Sequence, residues 1–257
     1  MYQDFAYLYD ALQQDVPYEQ FAEYYVKIIE KFGGEKGLCL DLGCGTGNMS
    51  MLLDSLGFDV IGVDSSVDML EVAREKATKE ERSILFLNQD MTAFELYGTV
   101  ATVVSTLDCV NYITDEKALL EVFKLVNNYL DPNGLFIFDI NSEYKLEHIL
   151  GDNTYVSDDE DIFYSWQNSY DRKKKICTFD LTFFEKDEDV YYRYDETHYE
   201  RAYSVEEIKD LLTKAGLEVV GVYDNLSFNA PGEKSERIFF VAKEITKNAE
   251  CRTQNAE

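Results

Sequence analysis

The sequence has no long apolar run, no paired cysteines and few histidines. No stretch reaches the roughly 18 apolar residues of a membrane-spanning helix, so we expect no membrane segment. The five cysteines are odd in number, none has a Cys-x-x-Cys spacing and only two histidines are present, so neither a zinc site nor a disulfide framework is expected. Residues 1–10 are aromatic and acidic and lack the basic-then-apolar pattern of a secretion signal. These absences predict a cytoplasmic protein without a bound metal.

The sequence is also poor in basic residues. Its 24 lysines and arginines face 50 aspartates and glutamates, which gives a net charge of −26. Binding to DNA or RNA depends largely on neutralising phosphates, so this charge disfavours a nucleic-acid partner. The same field favours a neutral or cationic small molecule. We expect such a partner for a protein that is a monomer or a homodimer.

Strands and helices alternate through residue 150. A chain of 257 residues, 46% hydrophobic and 29% charged, suits a globular fold. Apolar residues at helical spacing predict a helix over 17–32. Short apolar runs then predict strands at 38–42, 60–63, 84–87, 99–105 and 135–140. The segments between these runs predict helices, and this alternation implies a parallel sheet covered by helices on both faces.

After residue 150 the pattern changes to β-type runs separated by polar turns. The runs 162–170, 176–185 and 190–199 predict an antiparallel meander inserted into the α/β core. A capping box at Ser204 starts a helix that reaches residue 214, and strands 217–223 and 237–241 bring the sheet to seven. We therefore expect an α/β fold with a seven-stranded, mostly parallel sheet and a small antiparallel β-meander. The expected divisions are an N-terminal helical segment (1–34), the α/β core (35–150), the insert (151–201), a C-terminal completion of the core (202–245) and a polar tail (246–257).

A glycine-rich loop follows the first predicted strand. The segment Asp41-Leu42-Gly43-Cys44-Gly45-Thr46-Gly47 leads from that strand into a helix. Here the backbone and the free N–H groups of the helix start can approach a ligand closely. Ligands of open α/β sheets bind at the carboxyl ends of the strands, and Asp64 ends the second strand, where an acid can bind both hydroxyls of a ribose. Together these features predict a nucleoside cofactor.

The glycine spacing distinguishes between nucleoside cofactors. The dinucleotide fingerprint Gly-x-Gly-x-x-Gly is not met, because the third glycine is Gly47 and residue 48 is asparagine. Asp41 would repel a pyrophosphate but would attract a cation. Residues 40–47 resemble the first motif of class I S-adenosylmethionine-dependent methyltransferases, whose cofactor is cationic and carries no phosphate. The resemblance covers about residues 35–145, and it implies a Rossmann-like methyltransferase fold with S-adenosylmethionine as the cofactor.

The resemblance also implies individual cofactor contacts. In this family the first acid supports the methionine end of the cofactor and the acid after the second strand binds the ribose; these are Asp41 and Asp64 here. The segment 88–91 resembles the one that reads adenine, with Asp90 accepting from the exocyclic amine. Capping of turns or loops is the alternative role for each acid. The expected cofactor-binding residues are Tyr9, Asp41, Gly43, Cys44, Gly45, Gly47, Asp64, Ser65, Asp90, Met91, Leu107 and Asp108.

Two residues are candidates for catalysis. Tyr9 lies in an aromatic segment similar to one that folds over the cofactor in small-molecule methyltransferases, and its ring could lie near the sulfonium; anchoring to the core is the alternative. His198, at the end of the insert, could be a general base or a half-exposed structural histidine. The aromatic residues Tyr164, Trp166 and Phe183 are expected to pack the insert, with lining of the acceptor site as the alternative.

The predicted activity is transfer of a methyl group from S-adenosylmethionine to a small-molecule acceptor. The insert is expected over the carboxyl ends of the fourth and fifth strands, where it would select that acceptor. Similar inserts occur in sugar N-methyltransferases and in glycine N-methyltransferase, and this resemblance points to an amine. Two alternatives remain open: a non-catalytic binding module that retains the methyltransferase fold, and an NAD(P)-dependent oxidoreductase.

Overall fold

The computed structural model describes residues 6, 10, 13, 16–158, 162–188 and 190–245. No helix within these ranges is long and apolar enough to cross a membrane. The helices are α1 (Tyr18–Lys31), α2 (Asn48–Ser55), α3 (Val67–Lys79), α4 (Glu116–Tyr129) and α5 (Val205–Lys214), with a 3-10 helix (Cys109–Tyr112) and a π-helix (Lys145–Leu150). The strands are β1 (Leu38–Leu42), β2 (Asp59–Asp64), β3 (Leu85–Asn88), β4 (Val100–Ser105), β5 (Leu130–Asn141), β6 (Thr154–Asp158), β7 (Ile162–Asp171), β8 (Ile176–Asp187), β9 (Val190–Arg201), β10 (Leu217–Asp224) and β11 (Arg237–Glu244).

The core is a seven-stranded sheet with the strand order β10-β11-β5-β4-β1-β2-β3. β1 pairs in parallel with β2 and β4, and the outer pairs β2–β3 and β4–β5 are parallel as well. β11 is antiparallel to both of its neighbours, β5 and β10. The predicted α/β fold with a mostly parallel sheet is therefore confirmed. The strand order reverses at β1, and open α/β sheets bind their ligands at such a point.

Local sequence determines where the helices begin. Ser66 caps α3 and Asp115 caps α4, each accepting a hydrogen bond from a backbone N–H of the first turn. Ser204 and Glu207 form both halves of the predicted capping box of α5. Gly47 precedes α2 with a φ of 80°, in the left-handed region that favours glycine. The glycine loop can therefore turn sharply from β1 into α2.

Apolar side chains cover both faces of the core sheet. One buried cluster includes Phe123 of α4, Phe136, Phe138 and Phe240, and the other includes Phe239 with residues of α1 and α2. Successive side chains of a strand point to opposite faces, which is why the neighbours Phe239 and Phe240 belong to different clusters. The sheet is thus buried on both sides, as an α/β architecture requires.

The insert forms a second, four-stranded sheet with the order β6-β7-β8-β9. All its pairings are antiparallel, which confirms the predicted meander. It has four strands where the sequence predicted three, because the segment Thr-Tyr-Val-Ser-Asp of β6 offers neither an apolar run nor an apolar–polar alternation. The π-helix between β5 and β6 was not predicted either. Pairing with β7 creates β6, and pairing of this kind is a tertiary effect.

Candidate active site

A cavity of about 610 Å³ lies between the carboxyl ends of the core strands and the insert sheet. A smaller cavity of about 50 Å³ lies beside it and is lined by Asp41 and Cys44 among others. The predicted cofactor residues that line the larger cavity are Gly43, Gly45, Asp64, Ser65, Asp90, Met91, Leu107 and Asp108. Gly47 lines neither cavity, and Tyr9 lies outside the described residues. The structure therefore brings together ten of the twelve predicted residues at one edge of the sheet.

Asp41 is buried at the end of β1 with one carboxylate oxygen satisfied and the other free. Ser50 Oγ donates a 2.5 Å hydrogen bond to Oδ2, while Oδ1 has no partner among the described residues. Burial raises the pKa of Asp41 to about 7, and the nearby charge of Asp64 adds to the rise. A buried acceptor without a partner is costly, so this carboxylate is suited to a cation that enters the smaller cavity.

Asp64 connects the end of β2 to the glycine loop. Its Oδ2 accepts a 2.9 Å hydrogen bond from Gly45 N, and its Oδ1 accepts a 2.8 Å bond from Ser66 N. Burial raises its pKa, and these backbone bonds oppose the rise. Gly43 is packed so closely that a Cβ would lie 2.9 Å from Cys109 Sγ. The loop thus keeps its backbone in direct contact with the cavity.

Asp90 and Met91 follow β3 on the other side of Asp64. Asp90 is mostly exposed, and its Oδ1 accepts hydrogen bonds from the backbone N (2.7 Å) and the hydroxyl (2.6 Å) of Thr92. These bonds lower the pKa of Asp90. The acid is therefore ionised and fixed in orientation at the rim of the cavity, where it can accept from a ligand donor.

The backbone after β4 is held in an unusual conformation. Leu107 and Asp108 have φ angles of 61° and 54°, values in which non-glycine residues are strained. Asp139 of β5 accepts hydrogen bonds from both backbone N–H groups, at 2.9 Å for Leu107 and 3.0 Å for Asp108. Arg237 of β11 then pairs with both Asp139 and Asp108. Neither Asp139 nor Arg237 was predicted from the sequence, where the only signal of each is a charged residue within or next to an apolar run.

Aromatic side chains of the insert form the opposite wall of the cavity. Tyr164, Trp166, Phe179 and Phe183 all line it. Trp166 also packs against Phe179, with ring centroids 5.7 Å apart, and Tyr164 packs against Phe183 at 6.0 Å. The two roles considered for these residues therefore coincide, because one face of a thin sheet both packs the insert and faces the cavity.

His198 also lines the cavity and stacks edge-to-face on Tyr112, with ring centroids 5.9 Å apart. Burial lowers the pKa of His198, so the imidazole is neutral at pH 7. Burial also raises the pKa of the Cys44 and Cys109 thiols well above the ordinary value. Both cysteines are therefore protonated thiols, which suits packing beside the glycine loop rather than nucleophilic attack.

Several other polar residues that line the cavity were not predicted, and three of them lie on the acceptor side. They are Asn141 at the end of β5, Lys145 at the start of the π-helix and Glu200 near the end of β9. Each comes from a different element, so no local spacing in the sequence links them. Glu200 lay inside a segment that we assigned to the end of the meander without a role.

Comparison with known proteins gives a consistent result. A sequence model described as a methyltransferase domain matches residues 39–134. YqeM of Bacillus subtilis (strain 168), which bears a provisional methyltransferase name, is 37% identical over 95% of this chain and 97% of its own length. A crystal structure of a S-adenosylmethionine-dependent methyltransferase from Clostridium acetobutylicum is 33% identical with a TM-score of 0.87, covering 95% of this chain and 99% of that chain. CalS10 of Micromonospora echinaspora, an amino pentose methyltransferase with S-adenosylmethionine bound, has a similar fold: the TM-score is 0.73 at 17% identity, over 93% of this chain and 96% of that chain.

Proposed function

The chain belongs to the class I S-adenosylmethionine-dependent methyltransferases, and from this we propose that it methylates an amine of a small molecule bound in the larger cavity. The single observation that carries the proposal is the shared lining of that cavity. Cofactor-side residues such as Asp64 and insert residues such as Trp166 face the same space. A volume of about 610 Å³ is in the range of small-molecule sites.

The residues at the strand ends fit S-adenosylmethionine. We propose that Asp41, whose Oδ1 is buried without a partner among the described residues, holds the ammonium of the methionine part. Asp64 would bind the ribose hydroxyls, and Asp90 with Met91 would contact the adenine. S-adenosylmethionine carries no phosphate, which suits this group of acids. A dinucleotide would place its negatively charged pyrophosphate beside Asp41, where the two charges would repel each other.

The acceptor side supports an amine. The cavity wall combines aromatic rings, which favour an apolar body or a cation, with the buried acid Glu200. The net charge of −26 also attracts cations. Among proteins of the same fold, CalS10 is named for an amino pentose, a sugar that carries an amine. His198, neutral at pH 7, remains a candidate for contact with the acceptor.

The chain's own contribution to the reaction is mainly alignment. The cofactor supplies a methyl group on a sulfonium, a leaving group that needs no activation by the protein. The loop at Leu107 and Asp108, held by Asp139, fixes the floor of the site between cofactor and acceptor residues. Holding two reactants in line supplies a large part of the rate in such reactions.

The test is a transfer assay with S-adenosylmethionine labelled in its methyl group. The acceptors are phenethylamine and D-glucosamine, with 2-phenylethanol and D-glucose as matched hydroxyl compounds. We expect label in the amines, and calorimetric binding of S-adenosylmethionine but not of NADH. Asp64→Ala should abolish both binding and transfer, whereas Asp59→Ala, at the exposed opposite end of the same strand, should change neither. Absence of S-adenosylmethionine binding by the wild-type protein, or label only in hydroxyl compounds, would contradict the proposal.

A further inference from the structure

Glu200 is a buried acid that faces the acceptor side of the cavity. Glu200 is only 3% exposed to solvent, and it lines the larger cavity. Asn141 Nδ2 donates a 2.8 Å hydrogen bond to Glu200 Oε2. No other hydrogen bond to this carboxylate comes from the part of the chain that the structure describes. A buried carboxylate with a single neutral partner is costly, so its position favours a ligand that brings a positive charge or a proton.

Hydrogen bonds from the 3-10 helix after β4 hold the end of β9 next to the end of β5. Asn111, in the 3-10 helix after β4, donates through Nδ2 to the carbonyls of Arg201 (2.9 Å) and Asn141 (3.1 Å). Asn141 N in turn donates a 3.0 Å hydrogen bond to Asn111 Oδ1. Asn111 is fully buried. This arrangement holds Glu200, the neighbour of Arg201, beside the Asp108 loop, which lines the same cavity as Asp64.

The two cations near Glu200 make hydrogen bonds and ion pairs with other residues. Arg237 pairs with Asp108 and Asp139, and Lys145 Nζ donates a 2.9 Å hydrogen bond to Asn141 Oδ1. The groups around the carboxylate are thus Asp108, Lys145 and Arg237, together with the Cys177 thiol on β8. Burial, reinforced by Asp108, raises the pKa of Glu200 well above its ordinary value, against smaller opposing effects of Asn141, Lys145 and Arg237.

We propose that Glu200 receives the ammonium group of the acceptor and removes its proton, with Asn141 as the residue that positions the carboxylate. The proposal rests on the amine methyltransferase function above. In the step, an N–H bond of the ammonium breaks and an O–H bond forms on Glu200, so a charged pair becomes a neutral amine and a neutral carboxyl. The lone pair left on nitrogen is the nucleophile that methyl transfer requires, and the proton returns to solvent after the product leaves.

Burial makes this acid a better base than an exposed glutamate. A general base is most effective when its pKa lies near the working pH, and a neutral product pair is favoured in a desolvated site. The aromatic wall completes the site, since Tyr164 and Trp166 can contact the apolar part of an arylalkylamine or the ring of an amino sugar. The ligand class assigned to this site is therefore a primary or secondary amine that is protonated in solution.

Binding is tested by calorimetry on protein saturated with S-adenosylhomocysteine, using phenethylamine against 2-phenylethanol and D-glucosamine against D-glucose. We expect wild-type protein to prefer at least one amine over its hydroxyl counterpart by at least about tenfold. Glu200→Gln should raise the Kd of that amine by about thirtyfold or more, because one partner of a desolvated charge pair is lost. The exposed control Glu218→Gln should change nothing.

Turnover gives the second measurement. Glu200→Gln should lower kcat by a factor of about 100 or more, shift the acidic limb of the kcat pH profile towards the higher pKa of the amine itself and leave the Kd of S-adenosylhomocysteine unchanged. Glu200→Asp should partly restore both the rate and the position of the acidic limb, which a purely structural role would not do. If Glu200→Gln does not fold, Glu200→Asp is measured in its place. The expected result is then a reduced rate with an unchanged affinity for S-adenosylhomocysteine.

Two outcomes overturn the inference: amine binding and turnover unchanged in Glu200→Gln, or no preference of the wild-type protein for either amine. Both outcomes are distinguishable from failure of the proposed function. If the proposed function fails, the wild-type protein binds no S-adenosylmethionine or transfers label to no amine, whatever residue stands at position 200.

Discussion

Replacing Asp41 by asparagine is expected to stabilise the ligand-free protein and to weaken its binding of S-adenosylmethionine. The reason is the buried position of this carboxylate at the end of β1. Ser50 satisfies Oδ2, but Oδ1 has no partner among the described residues. The protein therefore buries an acid whose charge, on the function proposed above, the cofactor's ammonium would compensate, a common conflict between stability and function.

The magnitude follows from the pKa of Asp41, which burial raises from 3.8 to about 7. One pKa unit corresponds to about 1.4 kcal/mol, so keeping Asp41 ionised in the folded protein costs about 4 kcal/mol. Because the folded pKa is the higher one, stability is greatest below pH 3.8 and is lost as the pH rises towards 7. The cost is fully present at pH 8 and falls to about 2 kcal/mol at pH 5.

The asparagine variant avoids this cost but places an amide nitrogen where Oδ1 was, at a penalty of about 1 kcal/mol. We therefore expect Asp41→Asn to be more stable by about 3 kcal/mol at pH 8 and by about 1 kcal/mol at pH 5. Its Kd for S-adenosylmethionine should rise by about thirtyfold or more, because a desolvated charge pair is lost. Asp59→Asn, an exposed change on β2, should alter both quantities little.

Urea unfolding of the ligand-free proteins at the two pH values measures the stability difference, and calorimetry at pH 8 measures the Kd. A less stable Asp41→Asn variant at pH 8 would refute the reasoning. So would a gain of equal size at both pH values, because the effect must follow the titration of the buried acid.

Other sites give further predictions. Arg237→Met leaves the buried Asp139 without its cation and should cost about 3–5 kcal/mol in urea unfolding; Asp139→Asn in the same chain should recover part of the loss, and a loss below about 1 kcal/mol would contradict the pairing. Ser204→Ala removes the N-cap of α5 and should lower the free energy of unfolding by about 1 kcal/mol, whereas an unchanged midpoint of urea unfolding would argue against the cap. Asp10→Asn removes the ion pair with Lys76 and weakens the 2.5 Å hydrogen bond that Thr46 Oγ1 donates to Asp10. The rate of S-adenosylmethionine release, measured by stopped flow, should increase by up to about fivefold. An unchanged rate would show that Asp10 does not restrain the cofactor loop.

Local patterns predicted most of the fold. The strand β1 was predicted with its observed limits, and the cap Ser204 lies where the sequence placed the start of α5. These features depend on residues close together in the chain, so a window of sequence contains their cause. β6 and the π-helix were missed because their conformations depend on pairing and packing with distant segments.

The cofactor side of the candidate site was predictable for the same reason. The carboxyl ends of neighbouring parallel strands meet at one edge, so Asp41, Asp64 and Asp90 could be expected together there, and the resemblance to the methyltransferase family supplied the role expected of each. The acceptor side could not. Glu200 reaches the cavity only because Asn111 fastens the end of β9 to the core, a hydrogen bond between residues 90 positions apart.

By itself, the sequence determined the α/β core, the glycine loop and the preference for a cationic cofactor without phosphate, because glycine spacing, strand order and the acid at position 41 act locally. Only the tertiary structure decided which face of the insert covers the cavity. It alone brought Arg237 to Asp139 and Glu200 to Asn141. The physical reason is that alternation along a strand specifies which residues share a face, whereas docking of distant elements decides what that face meets.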